Sequence, residues 1–214
     1  MRCRGSAAVS LLVLLAVPAL LTGQQEDHRN AAIKTEKGYL LVWNEPGNCY
    51  TLEINGKNVR QESDEMLHFF VDQGFLQVVT VETKEFLGKG KRRKMDDRDI
   101  LTAHRDWEGK YLEESNRSKL QFESSWKTLE NGSEALLWGF KLPESIRQNV
   151  TEQIYLTLVK RDHVLLLSTP LTDKTDRNAS WDLLFRVASS LKISDRPIDL
   201  KALQETLRKQ AAAQ

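Results

Sequence analysis

The chain has 214 residues, a formal net charge of +1, 40% hydrophobic residues and 29% charged residues. This length is enough for one ordinary domain with its own core. A balance so close to neutral removes the bulk electrostatic argument for nucleic-acid binding, which needs an excess of Lys and Arg on one face. We therefore expect no nucleic-acid partner.

The N-terminus has the order of a secretory signal peptide. Arg2 and Arg4 make a short basic start, residues 7–21 are almost wholly apolar, and polar residues follow Gly23. An apolar run of this length is short for a membrane span. We predict a signal peptide over 1–23 and a secreted or periplasmic protein with no membrane span after cleavage. The alternative is an uncleaved membrane anchor.

Cleavage would leave Cys49 as the only cysteine. A single cysteine forms no internal disulfide, so the core must hold the fold without one. No His, Asn or Asp stands beside Cys49 in a nucleophile arrangement. We therefore predict a free thiol on a small, half-buried side chain, in a monomeric protein.

The first half of the mature chain predicts a linker and then strands. Residues 24–37 are polar and charged, which is typical of a mobile linker, and a single α+β domain is predicted over 38–196. Apolar runs and period-two alternation bounded by turn residues predict strands at 39–43, 49–54, 66–71 and 75–81.

A charged segment at 84–99 interrupts this pattern. Its cations are clustered around two glycines: Lys89, Lys91, Arg92, Arg93 and Lys94. They are a candidate contact for an acidic partner. Three aspartates that follow at 96, 97 and 99 offset much of this field, which favours the alternative of a solvated loop.

A helix is predicted after this segment. Ile100, His104, Trp107 and Tyr111 recur at helical spacing, and the preceding aspartates are N-cap candidates. Gly109 weakens the pattern, so we expect the helix to end near it.

The second half predicts three strands and two helices. The strands lie at 136–142, 154–159 and 164–167, and the last two are apolar on both faces, as central strands are. A helix is predicted over 180–192, with Trp181, Phe185 and Ala188 facing the sheet. Residues 197–214 predict a short terminal helix and a tail.

This order of elements resembles the PsbP/Mog1-like family of α-β-α domains. The resemblance rests on Ala135–Trp138, on the hairpin from Tyr155 to Leu167 and on Phe185 to Leu191, and it covers roughly 38–196. It implies a fold and no functional residue, because family members serve as photosystem subunits, GTPase-binding factors and unassigned exported proteins.

The sequence contains few patterns that indicate chemistry. None of the histidines at 28, 68, 104 and 163 has metal-site spacing. His68 and His104 fall within apolar patterns, which predict satisfied core or interface imidazoles. Ser-x-x-Lys occurs at Ser124–Lys127 and Ser189–Lys192, but the other motifs of penicillin-recognising enzymes are absent.

Four Asn-x-Ser/Thr tripeptides begin at Asn116, Asn131, Asn149 and Asn178, where chance predicts about one. They suit either a glycosylated secreted protein or ordinary turns.

Together these patterns predict an α+β protein with an antiparallel-dominated sheet and packed helices, an α-β-α sandwich. We expect an exported, non-catalytic binding or accessory module with no catalytic residue, metal or cofactor. Its partner is an unidentified protein or small ligand. The alternatives are a structural subunit of an envelope or secreted assembly, which should expose a large flat patch, and an unrecognised hydrolase.

Overall fold

The structure, a computed structural model, describes residues 30–62, 67–88, 91–144, 147 and 149–212. The predicted signal peptide lies outside the described residues, as do the side chains of Arg92 and Arg93. None of the helices described combines the length and the hydropathy that crossing a membrane requires.

The described part of the chain forms strands and helices in the following order. The strands are β1 (Asn30–Thr35), β2 (Gly38–Glu45), β3 (Asn48–Asn55), β4 (Val59–Gln61), β5 (His68–Val71), β6 (Gly74–Glu82), β7 (Phe122–Thr128), β8 (Glu134–Lys141), β9 (Glu152–Lys160), β10 (His163–Leu171) and β11 (Lys192–Ser194). The helices are α1 (Thr83–Leu87), α2 (Asp97–Asn116), α3 (Arg177–Ser189) and α4 (Leu200–Ala212), with a short 3-10 helix at Lys91–Lys94.

The strands form two antiparallel sheets. A seven-stranded sheet has the order β4-β5-β6-β10-β9-β8-β7, and a four-stranded sheet has the order β1-β2-β3-β11. The strands β9 and β10, predicted to be central, lie in the middle of the larger sheet and are buried on both faces. The α+β class and the antiparallel-dominated sheet are therefore confirmed.

Each face of the seven-stranded sheet covers its own core. On one face Leu156 and Leu165 pack among residues of α3 and of the four-stranded sheet. On the other face Tyr155 and Leu166 pack among residues of α2. The alternation of side chains along each strand explains this division, because neighbouring residues point to opposite faces.

Helix α2 runs past Gly109, where we expected it to end. Asp96 caps its start by accepting a hydrogen bond from the backbone N–H of Asp99 at 2.8 Å. A Cβ on Gly109 would lie 3.1 Å from the ring of Phe122, so glycine lets strand β7 pack close to the helix. Packing therefore overrides the low helix propensity of glycine, and the helix continues to Asn116.

Two segments predicted to be irregular are ordered instead. The linker prediction for 24–37 is wrong over Asn30–Thr35, which pairs along its whole length with β2, while residues 24–29 lie outside the described part. The solvated-loop prediction for 84–99 is wrong where α1, the 3-10 helix and the start of α2 form. Phe86 and Leu87 pack into the core beside α2, which explains the ordering of α1.

The C-terminal part agrees with the prediction in outline. Helix α3 begins and ends three residues before its predicted bounds, with Asp176 as its N-cap. Lys192, predicted as the last helical residue, begins β11 instead. Ala188 is buried against the sheet as predicted, and Trp181 and Phe185 are partly buried there. The terminal helix is present as α4, and none of its residues is buried.

Candidate functional site

The basic segment that sequence patterns singled out lies beside the N-terminus of α2. Lys91 and Lys94 are exposed on the 3-10 helix, whereas Lys89 and the side chains of Arg92 and Arg93 lie outside the described residues. The acidic-partner contact therefore stays a prediction.

The two Ser-x-x-Lys motifs do not form the helical arrangement that such an active site needs. Ser124 is exposed on β7, where its hydroxyl accepts a hydrogen bond from Arg105 at 3.1 Å. Ser189 ends α3, and Lys192 belongs to β11. Neither pair places its Ser one helical turn from its Lys.

A cavity of about 470 Å³ lies between the second half of α2 and one end of the seven-stranded sheet. Its floor includes a cross-strand row in which His68 lies opposite Gln77, Gln77 opposite Ser168, and Ser168 opposite Tyr155. Residues directly opposite each other in paired strands share a face. The register of four strands therefore brings these distant side chains together under the helix.

Aromatic side chains make up much of the cavity wall. Phe70, Phe75, Phe140 and Tyr155 all line it. The Tyr155 ring is stacked on Trp138 with 4.1 Å between ring centroids, and His68 lies 5.3 Å from Phe75. Few polar contacts join the wall; in one of them the Ser168 hydroxyl donates to Gln77 at 3.1 Å. The aromatic rings give the wall apolar surface, and polar side chains such as Gln77 and Ser168 lie among them.

Helix α2 contributes a buried carboxyl group to the cavity. Glu108 is 3% exposed, and its Oε1 atom meets no hydrogen-bond partner in the part of the chain that is described. Burial raises the pKa of Glu108 to about 7, because the charged form is poorly solvated there. The Tyr155 hydroxyl has its pKa raised by burial and then by the charge of Glu108, so it stays protonated.

His104 lies one helical turn before Glu108 on the same buried face. It is fully buried and packs edge-on against Phe86, and burial lowers its pKa to about 4. The prediction of a core imidazole is right about burial. It is wrong about hydrogen bonding, because neither ring nitrogen has a partner among the described residues.

The predicted stripe of α2 is right at Ile100 and His104, which are fully buried, and departs from the buried face after them. Trp107 and Tyr111, which continue the predicted helical spacing, are 41% and 39% exposed. The buried side chains instead follow a spacing of four through His104, Glu108 and Leu112. A spacing of four is visible in the sequence, but a glutamate in a helix is normally solvated, so the spacing alone does not indicate that Glu108 is buried.

A second buried polar cluster joins the two sheets away from this cavity. The ammonium group of Lys160 donates to the Asn48 side-chain oxygen and lies 3.4 Å from the centre of the Tyr50 ring. Burial lowers the pKa of Lys160 to about 7. Cys49, the predicted free thiol, is buried beside this cluster, and its Sγ donates to the Glu45 carbonyl at 3.4 Å.

Two further features of the described residues bear on modification and metal binding. Asn131, Asn149 and Asn178 are exposed, and Asn116 is partly buried at the end of α2, so glycosylation stays a prediction. No group of three or more His, Cys, Asp or Glu side chains in the described ranges is placed to hold a metal ion.

Comparison with known proteins gives a likeness of fold. No protein-family model matches the sequence, and no curated protein is significantly similar to it. Among solved structures, cyanobacterial PsbP (CyanoP) from Synechocystis sp. PCC 6803 is 12% identical, with 82% of this chain and 99% of that chain covered and a TM-score of 0.44. A structure from Bacteroides thetaiotaomicron VPI-5482 is 8% identical, with 73% and 52% covered and a TM-score of 0.33. The sequence resemblance and this structural likeness both name a PsbP-like protein, and both concern the fold alone.

Proposed function

We propose that this protein is an exported, non-catalytic binding module that holds a small, mainly apolar molecule in the cavity beneath α2. The observation that carries the proposal is the cavity itself. Its volume of about 470 Å³ falls within the range of small-molecule sites, and its wall combines aromatic rings and aliphatic side chains with polar groups that could orient a ligand. The exposed residues Glu62 and Gln73 also line it, so the cavity reaches the surface.

The non-catalytic part of the proposal rests on how the ionisable groups are held. A general base acts together with an orienting partner and a charge stabiliser. Glu108 has one carboxylate oxygen with no partner among the described residues, and the raised pKa of Tyr155 keeps its hydroxyl neutral. Such groups orient a ligand by hydrogen bonding. Export, to the outside or to the periplasm, follows from the signal-peptide pattern of residues 1–23.

The test is saturable binding of N-phenyl-1-naphthylamine, an uncharged probe whose fluorescence rises in apolar surroundings. We expect one site per chain, and we expect Val150→Trp to abolish it, because Val150 is a partly buried residue of the cavity wall. The matched control is Ile193→Trp, which places the same bulk on β11, where the side chain is 49% exposed. Equal binding by both variants, or no saturable binding by the wild type, would contradict the proposal.

A further inference from the structure

The charged side chains of the described cavity wall are all acidic. Its described ionisable residues are Glu62, His68, Glu108 and Tyr155, and no Lys or Arg is found among the described residues that line it. Burial lowers the pKa of His68 and raises that of Tyr155, so both side chains are uncharged near neutral pH. The charges available to a ligand are therefore two carboxylates, Glu62 at the exposed rim and Glu108 inside.

We propose that the ligand is an amphipathic cation, with an ammonium group against Glu108 and an aromatic or aliphatic body along the phenylalanine wall. This inference rests on the proposed function, because it names the chemistry of the molecule that the same cavity binds.

The carboxylate of Glu108 supplies the first part of the argument. A buried charge without a partner is costly, and an ammonium N–H donated to the unpartnered Oε1 would offset that cost. Hydrogen bonds between two charged groups are about twice as strong as neutral ones.

The ring faces of the wall supply the second part. Phe75 and Phe140 line the cavity, and an aromatic ring attracts a cation that reaches its face, whereas one face of Tyr155 is already covered by Trp138. An anionic ligand would instead meet two carboxylates and no cationic side chain of the described wall. The cavity therefore discriminates by charge as well as by shape.

The same geometry makes cation binding depend on pH. Among the described residues, the titratable groups that line the cavity with Glu108 are Tyr155 on β9, His68 on β5 and Glu62 after β4, and His104 lies one turn before Glu108 on α2. Since the pKa of Glu108 is about 7, its carboxyl group loses a proton between pH 6 and pH 8 when no ligand is bound. A cation binds the ionised form, so its affinity rises over this interval, while the affinity of an uncharged ligand does not.

Three ligands with one body test the proposal: 4-phenylbutylamine, 4-phenylbutan-1-ol and 4-phenylbutyrate, compared by calorimetry at pH 8. We expect the amine to bind about tenfold tighter than the alcohol, as a charge-assisted hydrogen bond would provide, and the carboxylate to bind most weakly. Between pH 6 and pH 8 the affinity of the amine should rise about tenfold and that of the alcohol should stay level.

The variant Glu108→Gln should bring the amine and the alcohol to similar affinities. Its matched control is Glu114→Gln on the exposed face of the same helix, which should keep the full preference for the amine. If Glu108→Gln does not fold, the pH dependence of the wild-type protein decides the question by itself.

Equal affinities for the amine and the alcohol, or tightest binding of the carboxylate, would overturn the cationic ligand and leave the binding module in place. If the amine, the alcohol and N-phenyl-1-naphthylamine all fail to bind, the proposed function fails as well.

Discussion

Glu108 makes a sharp prediction about stability in the absence of ligand. In the unfolded chain its carboxyl group titrates near 4.5, and in the folded protein burial raises the pKa to about 7. Between these values the folded state keeps a proton that the unfolded state has lost, so the contribution of Glu108 to stability falls as the pH rises. A difference of 2.5 pKa units corresponds to about 3 kcal/mol at pH 8.

Replacing Glu108 by Gln removes the titration while keeping the shape of the side chain. We expect the variant to be more stable than the wild type by up to about 3 kcal/mol at pH 8, with the difference shrinking towards zero near pH 4.5. Urea unfolding followed by tryptophan fluorescence at several pH values would measure it. The control Glu114→Gln should change the stability by less than about 0.5 kcal/mol throughout, because that side chain is exposed. A variant less stable than the wild type at pH 8, or a difference that does not vary with pH, would refute the reasoning.

The remaining predictions concern the core, the inter-sheet cluster and the charged segment. Trp138→Ala should lower the free energy of unfolding by about 3–5 kcal/mol, because the ring is 2% exposed and stacked on Tyr155. Urea unfolding would measure this change, and a variant as stable as the wild type would contradict the packing. The pKa of Lys160 is lowered from 10.5 to about 7, so between these values the unfolded state binds more protons than the folded state. The stability of the wild type relative to Lys160→Met should therefore rise with pH across that window, as measured by thermal melts. Thiol titration of the native protein should find Cys49 slow to react, because it is buried; rapid labelling would contradict this. Serine at each basic position from 89 to 94 should leave amine affinity unchanged, since about 17 Å of helix separates Asp97, the first residue of α2, from Glu108. A loss of affinity would show that the two regions are coupled.

The local sequence pattern was sufficient to predict most of the strands and helices. The alternation along β3 and the apolar runs of β9 and β10 predict strands, because side-chain burial on a sheet repeats every two residues or covers both faces. The Asp96 cap and the helical spacing after it likewise predict α2.

Short and polar strands could not be predicted in this way. Strands β1 and β7 lie at sheet edges, where few of their side chains are buried, so they show no strong alternation. Each is held by pairing with the strand that follows it in the chain, as when Ser124 lies opposite Trp138. Such pairing leaves little trace in the segment itself.

The sequence by itself determined the α+β class, the central strands and the amphipathic helices, since each depends on the burial of neighbouring residues in one element. Only the tertiary structure decided the candidate site. The register of four strands placed His68, Gln77, Ser168 and Tyr155 in one row, and the rotation of α2 turned Glu108 towards that row. The pKa of a carboxyl group rises when other elements bury it away from water, and the sequence pattern of its own helix does not show which elements will bury it.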